Sequence, residues 1–394
     1  MLKNVKLKEL GEIFTGSTPS KKNKEFYNSE DIMFIKPDIL DFDIVNIGVS
    51  NEYISEKARE KARIIPANSL LVSCIGSIGK LGINEKEVAF NQQINAIVPN
   101  NKIKSSRYLA YLLKYNQKKL ESIANAPVVP IINKTQFSEF EVLIHENLNF
   151  QEQITQILDK SKEIIEKRKE QIQFLDKLVK SKFIEMFRGD KNFDYIKIEN
   201  LVEVKSDIVD GPFGSNLKTI DYVDSGVRVI QINNIGESQF RNGNKRYITE
   251  EKFNSLIKHS VIPGDIVVAK MGEPIGRACI VPNWLEKAVI VADCMKIHPD
   301  LNVINAKYLE FLLNTEEVKV QFKKYSQGST RVRLNLTMLR QIEVLYPPIE
   351  LQNQFADFVK QVDKLKFEME KSLKDLEDNF NSLMQNAFKG ELFN

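Results

Sequence analysis

Histidine and cysteine are scarce in this chain, three of each in 394 residues. His145, His259 and His298 lie far apart, and no Cys or His pair has metal-ligand spacing, so no metal site is expected. Cys74, Cys279 and Cys294 are an odd, scattered set in apolar surroundings. They read as reduced core residues, which points to a cytoplasmic protein and away from a disulfide framework. No apolar run approaches the ~20 residues of a membrane span. Met1 leads straight into charged, alternating sequence rather than a signal peptide. Charge of one sign is missing too, because the net charge is only +3. A grip on nucleic acid would have to come from local basic clusters or from a partner.

The patterns of catalysis are absent as well. GSIGK at 76–80 continues with Leu81 and lacks P-loop spacing. No Gly-rich cofactor loop follows a first strand. Methylation of a base amino group would call for an Asp/Asn-Pro-Pro-aromatic loop. The nearest match, Tyr346-Pro347-Pro348-Ile349, differs at both ends and reads better as a strand stop before a helix. No catalytic residue, cofactor or metal is therefore expected.

Between Phe150 and Gly189 there is no Pro and no earlier Gly, so nothing breaks a helix. Positions spaced alternately by four and three carry Ile154, Leu158, Ser161, Ile165, Arg168, Ile172, Leu175, Val179, Lys182 and Met186. This is a heptad seam, wider in reach than one buried face of a globular helix. The same seam recurs 201 residues later as Phe355, Val359, Val362, Lys366, Met369, Leu373, Leu376, Phe380, Leu383 and Ala387. At ~1.5 Å per residue each helix is about 55 Å long, too long to be covered by a small domain. Each is the natural partner of the other, paired antiparallel.

The repeat extends beyond the helices. VKLKEL at 5–10 matches IKIENL at 196–201, and RYLAYLL at 107–113 matches KYLEFLL at 307–313. IPANSLLVSCIGSIGK at 65–80 matches IPGDIVVAKMGEPIGR at 262–277. The latter pair reads as a strand (70–75, 266–271) and a glycine turn, with Gly76, Gly79, Gly272 and Gly276 available for positive φ. The expected fold is α+β. Two similar mixed α/β globules are separated by two long helices that pair as an antiparallel coiled coil, with a pseudo-two-fold internal repeat. The boundaries expected are 1–147, 148–190, 191–348 and 349–394.

Binding is better supported than catalysis. Lys21, Lys22, Asn23 and Lys24 form a basic knot in a polar loop. Arg241, Asn242, Asn244, Lys245 and Arg246 form another, with Gly243 supplying a turn. Lys324, Arg331 and Arg333 bracket a third, around QGSTRVR at 327–333. NQQIN at 91–95 adds Gln92 and Gln93, whereas its twin VADCM at 291–295 does not carry such amides. These side chains reach base edges or hold phosphates. Each cluster alone also reads as a solvated loop, and recurrence on both globules favours binding.

TGSTPSKKN, IPANSLLVSCIGSIGK, PPIELQNQF and the AFKGEL ending, spread over the whole chain, resemble the specificity subunit of type I restriction–modification systems. DGPFGSNLKTIDYVDSGV resembles the opening of another recognition domain of that family. The resemblance implies two target-recognition domains, each reading half of a bipartite site in double-stranded DNA. It implies helical regions that space them and dock two methyltransferase subunits, joined by motor and nuclease subunits, with no membrane. The first helix departs from the pattern, since HENLNFQEQI lacks the double Pro. Two alternatives stay open: the recognition chain of a related two-chain restriction enzyme whose partner both cuts and methylates, and a coiled-coil scaffold whose globules bind proteins.

Overall fold

The computed structural model describes residues 2–124, 129–188, 192–325 and 333–392. The chain divides into two compact units, Met1–Gln171 with Met369–Asn394, and Ile172–Glu368. Two continuous helices, Leu148–Phe187 and Ile349–Lys389, contribute one part to each unit.

In the first unit, early residues of the first long helix share a core with late residues of the second. Ile154, Leu158 and Ile165 are buried in one cluster with Phe380, Met384, Ala387 and Phe388. In the second unit the order inverts, and Phe183 and Phe187 share a core with Phe355 and Val359. That is antiparallel pairing, tied by Lys169–Glu377 at 3.8 Å in one unit and Asp176–Lys366 at 2.7 Å in the other. Ile154, Leu158, Ile165, Leu175, Phe355, Val359, Val362 and Phe380 are buried; Ile172, Val179, Met369, Leu373, Leu376 and Leu383 are half-buried.

The strict four–three seam drifts at the helix ends. Phe183, Phe187, Met384 and Phe388 are buried one position beyond Lys182, Met186, Leu383 and Ala387. An α-helix turns every 3.6 residues, so a 3.5-residue seam slips around it. These ends also leave the partner helix for a globule. Phe187 lies 5.2 Å from the Tyr308 ring and Phe388 lies 5.7 Å from the Tyr108 ring.

Both globules use one strand order. In the first unit, one sheet runs Gly11–Thr15, Ile94–Pro99, Leu70–Ser73, Leu81–Asn84, Ile44–Ile47, and a second runs Tyr53–Ile54, Ile32–Ile35, Val88–Phe90, Ile64–Ile65. In the second unit they run Ile208–Asp210, Cys294–Ile297, Ile266–Ala269, Ala278–Ile280, and Arg246–Ile248, Val227–Ile230, Ala288–Ile290, Ser260–Val261. Among the described residues only Ile44–Ile47 is extra, pairing parallel with Leu81–Asn84. A terminal ribbon closes each globule: Leu2–Lys6 with Glu141–His145, and Asp194–Lys197 with Glu343–Tyr346. The glycine turns do have positive φ, +77° at Gly76, +83° at Gly79, +99° at Gly272 and +77° at Gly276.

The repeated FQ/LQ at the start of each long helix has a physical cause. Gln151 and Gln352 are both fully buried. Gln352 donates from Nε2 to the Pro347 carbonyl at 2.9 Å and accepts from Asn305 N–H at 2.9 Å. Gln151 donates to the His145 carbonyl at 2.7 Å and accepts from Lys104 N–H at 2.8 Å. Each amide staples a helix start to the end of the ribbon strand and to the loop before the globule helix Ser106–Tyr115 or Ala306–Leu313. Where the first helix lacks the double Pro, the Asn147 side chain accepts from Asn149 N–H at 2.8 Å instead. Gln352→Leu strands a buried N–H and a buried carbonyl, each worth about 1–3 kcal/mol. Its expected outcome is a melting temperature several degrees lower, read by calorimetry. An unchanged melting curve would show that the staple contributes nothing.

Candidate nucleic-acid interface

In the first unit the chain leaves strand Gly11–Thr15 and folds back over the end of strand Val88–Phe90. Gly16 N–H donates to Ile94 O at 3.2 Å and Ser17 N–H to Phe90 O at 3.0 Å. A Cβ on Gly16 would sit 2.1 Å from the Asn91 carbonyl, so the close approach requires glycine. This return brings two of the expected clusters together. Thr18 Oγ1 donates to Gln92 Oε1 at 2.6 Å, and Pro19 O accepts from the Tyr27 hydroxyl at 2.7 Å. Lys21, Lys22 and Lys24 are exposed. Asn23 has a structural duty: its side-chain oxygen accepts from Glu25 N–H at 3.1 Å and caps the turn Lys24–Tyr27. Gln92 is exposed, and Gln93 accepts from the Asn91 amide at 3.0 Å.

Two cations missed in the sequence stand at the same place. Ser17 Oγ donates to the Lys61 carbonyl at 3.4 Å, and the Arg63 guanidinium lies 5.6 Å over the Phe14 ring. Both side chains are exposed. They lie in EKAREKAR at 56–63, a run of alternating charge with no amide or glycine to mark it.

The second unit repeats the fold-back. Gly211 N–H donates to Cys294 O at 2.9 Å, and a Cβ there would lie 1.9 Å from Val291 O. The Arg241–Arg246 loop is shaped from beneath by the buried Asn234, whose amide donates to Arg241 O at 2.9 Å and Gly243 O at 2.7 Å. Asn244 takes φ +45° and donates to Gln231 Oε1 at 2.8 Å, while Arg246 lies 5.9 Å over the Tyr222 ring. Arg241, Asn242, Asn244, Lys245 and Arg246 are all exposed.

The third cluster is divided. Lys324 is exposed near the end of helix Glu316–Tyr325, and Arg331 lies outside the described residues. Arg333 is exposed but pairs with Asp293 at 2.9 Å and reaches the Ala292 carbonyl at 3.3 Å. Ala292 and Asp293 are the counterparts of Gln92 and Gln93. One globule thus offers neutral amides at this turn and the other a carboxylate balanced by an arginine.

Among the described residues no group of three His, Cys, Asp or Glu could hold a metal, and no helix is long and apolar enough to cross a membrane. Burial pushes the Cys74 and Cys294 thiols up to about 12, and raises that of Cys279. All three stay protonated and unreactive near neutral pH.

A scaffold repeated with its strand order kept while its exposed amide and cationic loops differ defines a two-domain protein that presents two unlike surfaces. The type I restriction modification DNA specificity domain matches residues 2–173 and 218–377, and the chain belongs to that family. It is 25% identical over 415 aligned positions to the type I restriction enzyme MjaIX specificity subunit of Methanocaldococcus jannaschii, covering 98% of this chain and 92% of that one. It is 33% identical to the HindI specificity subunit of Haemophilus influenzae, but over 39% of this chain and 35% of that protein. The fold is shared with a type I restriction–modification S subunit from M. genitalium (TM-score 0.58, 16% identity, 98% and 96% coverage). It is also shared with a chain from a study of type I complex assembly and conformational transition (TM-score 0.67, 13% identity, 99% and 98% coverage).

Proposed function

We propose that this chain reads a bipartite, asymmetric DNA site, one globule per half-site, as the non-catalytic recognition subunit of a cytoplasmic type I restriction–modification complex. The observation that carries the reading is a shared strand order, with one strand added in the first unit, combined with unlike loops. Such a protein presents two readers of different specificity on one framework. Residues 1–147 and 191–348 are the readers, and 148–190 with 349–394 form the spacer between them. Lys21, Lys22, Lys24 and Gln92 face one half-site, with Lys61 and Arg63 beside them; Arg241, Asn242, Lys245 and Arg246 face the other. Phosphate contacts set the register and amides contribute base discrimination.

Two methyltransferase subunits dock on the long helices, and motor and nuclease subunits join them. Ile164 and Leu365 are 41% and 47% exposed, and the 201-residue shift superimposes one on the other. Large apolar side chains repeated at solvent-facing positions fit two copies of one partner.

Exchange of the Lys21–Lys24 and Arg241–Arg246 loops tests the reading. Exposed loop changes cost little stability, so the variants should fold while methylated sites in host DNA change in one half each. Methylation-sensitive sequencing with and without the chain reads the result. Variants that methylate the original target at the original rate would remove these loops from the DNA face.

A further inference from the structure

We propose that Arg228 is the buried anchor of a phosphate-binding cleft, through which the second globule holds one phosphate of the DNA backbone. This rests on the DNA-reading function and adds a residue that lies outside the exposed loops. Strand Val227–Ile230 reads VRVI, where the first globule has IMFI at Ile32–Ile35. Register makes Met33 the equivalent residue. Arg228 lies opposite Tyr247 and Ala288, and Met33 lies opposite Tyr53 and Val88. Both positions are buried, 5% and 7% exposed. A methionine belongs there on packing grounds, and an arginine does not.

A buried guanidinium is costly unless an anion and hydrogen-bond acceptors compensate it. Arg228 has only partial compensation. Nη2 donates to the Gly243 carbonyl at 3.1 Å, and the Tyr247 ring lies 5.7 Å from the guanidinium carbon. Nε and Nη1 are buried with no hydrogen-bond partner among the described residues. A carbonyl and an aromatic face leave the charge unbalanced.

Beside this side chain opens a cleft of about 350 Å³, walled by Asn242, Lys245, Tyr247, Trp284 and Lys287. Of the two carboxylates on its wall, Glu250 is held by Lys287 at 2.8 Å, and Glu286 is the other. With Arg228 and Lys245 the wall keeps an excess of positive charge. Arg228, Lys245 and Asn242 all border this recess, and donors of these types suit a phosphate, which accepts from several donors at once. The Gly243 carbonyl contact couples the anchor to the Arg241–Arg246 loop, so the anion would also fix the loop that faces the bases. The first globule, with Met33, has no counterpart.

Trp284 is the only tryptophan in the chain and is 57% exposed at this wall, so its emission reports on the cleft. The full-length chain is titrated with inorganic phosphate against chloride at matched ionic strength. A saturable change in emission is expected for the natural chain and none for Arg228→Met. DNA binding is then measured across a salt series for the complex with its methyltransferase subunits. Arg228→Met should lower the slope of log affinity against log salt by about 0.9 and weaken all second half-site sequences by the same factor. Lys245→Ala, an exposed change, gives the same direction if Arg228→Met fails to fold. An unchanged slope in both variants overturns the proposal. So does a loss confined to one base position, which would make Arg228 a base reader. If the natural complex shows no sequence-specific binding, the DNA-reading function fails instead, and the phosphate titration still decides whether the cleft binds the anion.

Discussion

Replacing Lys307 with Met should remove about 3–5 kcal/mol of stability from the second unit. Lys307 Nζ lies 2.8 Å from Glu310 Oε2 and 2.9 Å from Asp363 Oδ2. Glu310 is 2% exposed, and its other oxygen accepts from Ile280 N–H at 2.8 Å. Through Asp363, Lys307 fastens the helix Ala306–Leu313 to the second long helix. Burial raises the Glu310 pKa, with Lys307 and the Ile280 N–H pulling it back. Burial also lowers that of Lys307, but Glu310 and Asp363 outweigh it and the net shift is upward. Without the ammonium, a carboxylate stays buried on a single hydrogen bond and its pKa climbs further. A carboxyl whose folded pKa exceeds its unfolded one destabilises the fold above the folded value, and stability returns as pH falls through it. The deficit of Lys307→Met should therefore be smaller at mildly acidic pH, nearer the ordinary carboxylate range, than at neutral pH. Glu310→Gln in the same background should restore most of it at neutral pH. Urea denaturation at both pH values decides. A loss below about 1 kcal/mol at neutral pH, or one that grows on acidification, would mean that Glu310 is not held by Lys307.

The first globule shows why such a pair could not be read in advance. The match RYLAYLL/KYLEFLL aligns Arg107 with Lys307 and Ala110 with Glu310. Arg107 also fastens its globule helix to a long helix, through Asp159 at 2.8 Å, but no carboxylate is buried beside it. Periodicity exposes which positions are apolar, and so the helix pair, the strand runs and the repeat were legible. Which polar residue becomes buried depends on what arrives from far along the chain. Gln151 and Gln352 were visible only as a matching pair of letters. Arg228 is one polar letter in the apolar run VRVI, and nothing in that run shows that it is buried against the Gly243 carbonyl. At the candidate interface, composition picked out Lys21–Lys24 and Arg241–Arg246. It gave no hint that Asn23 caps a turn, that Asp293 offsets Arg333, or that a fold-back places Lys61 and Arg63 beside Ser17. The Asn23 cap is a local turn, whereas the Asp293–Arg333 pair and the Lys61–Arg63 approach are tertiary, the latter set by Gly16 and the strand it crosses.

A chain cut after Asp190 should dimerise, because the second half carries both parts of an interface. In the first unit the end of the second long helix is covered by that globule. Phe380 lies 6.4 Å from the Tyr111 ring, and Phe388 lies 5.4 Å from Tyr115 and 5.7 Å from Tyr108. In the second unit the end of the first long helix fills the matching seat, with Phe183 and Phe187 around Tyr308 and Phe355. The 201-residue shift carries Phe183 onto Met384 and Phe187 onto Phe388. Residues 191–394 alone would expose Phe380, Met384 and Phe388 and leave the Tyr308 seat empty. Such a stripe is unstable in water, and a second copy supplies what each lacks: Met384 and Phe388 of one copy enter the seat of the other. The pseudo-two-fold repeat becomes a true two-fold axis, with Met in place of Phe183 the main repacking. Two identical readers related by that axis face DNA with opposite polarity. With methyltransferase subunits, the fragment should modify an interrupted palindrome made of the second half-site and its inverted copy. Sedimentation at micromolar concentration should show a dimer, and Phe388→Asp should return it to a monomer. Methylome sequencing of cells expressing the fragment reads the motif. A folded monomer would show that the Tyr308 seat does not accept Met384 and Phe388, and a non-palindromic motif would show that the two readers are not related by a two-fold axis.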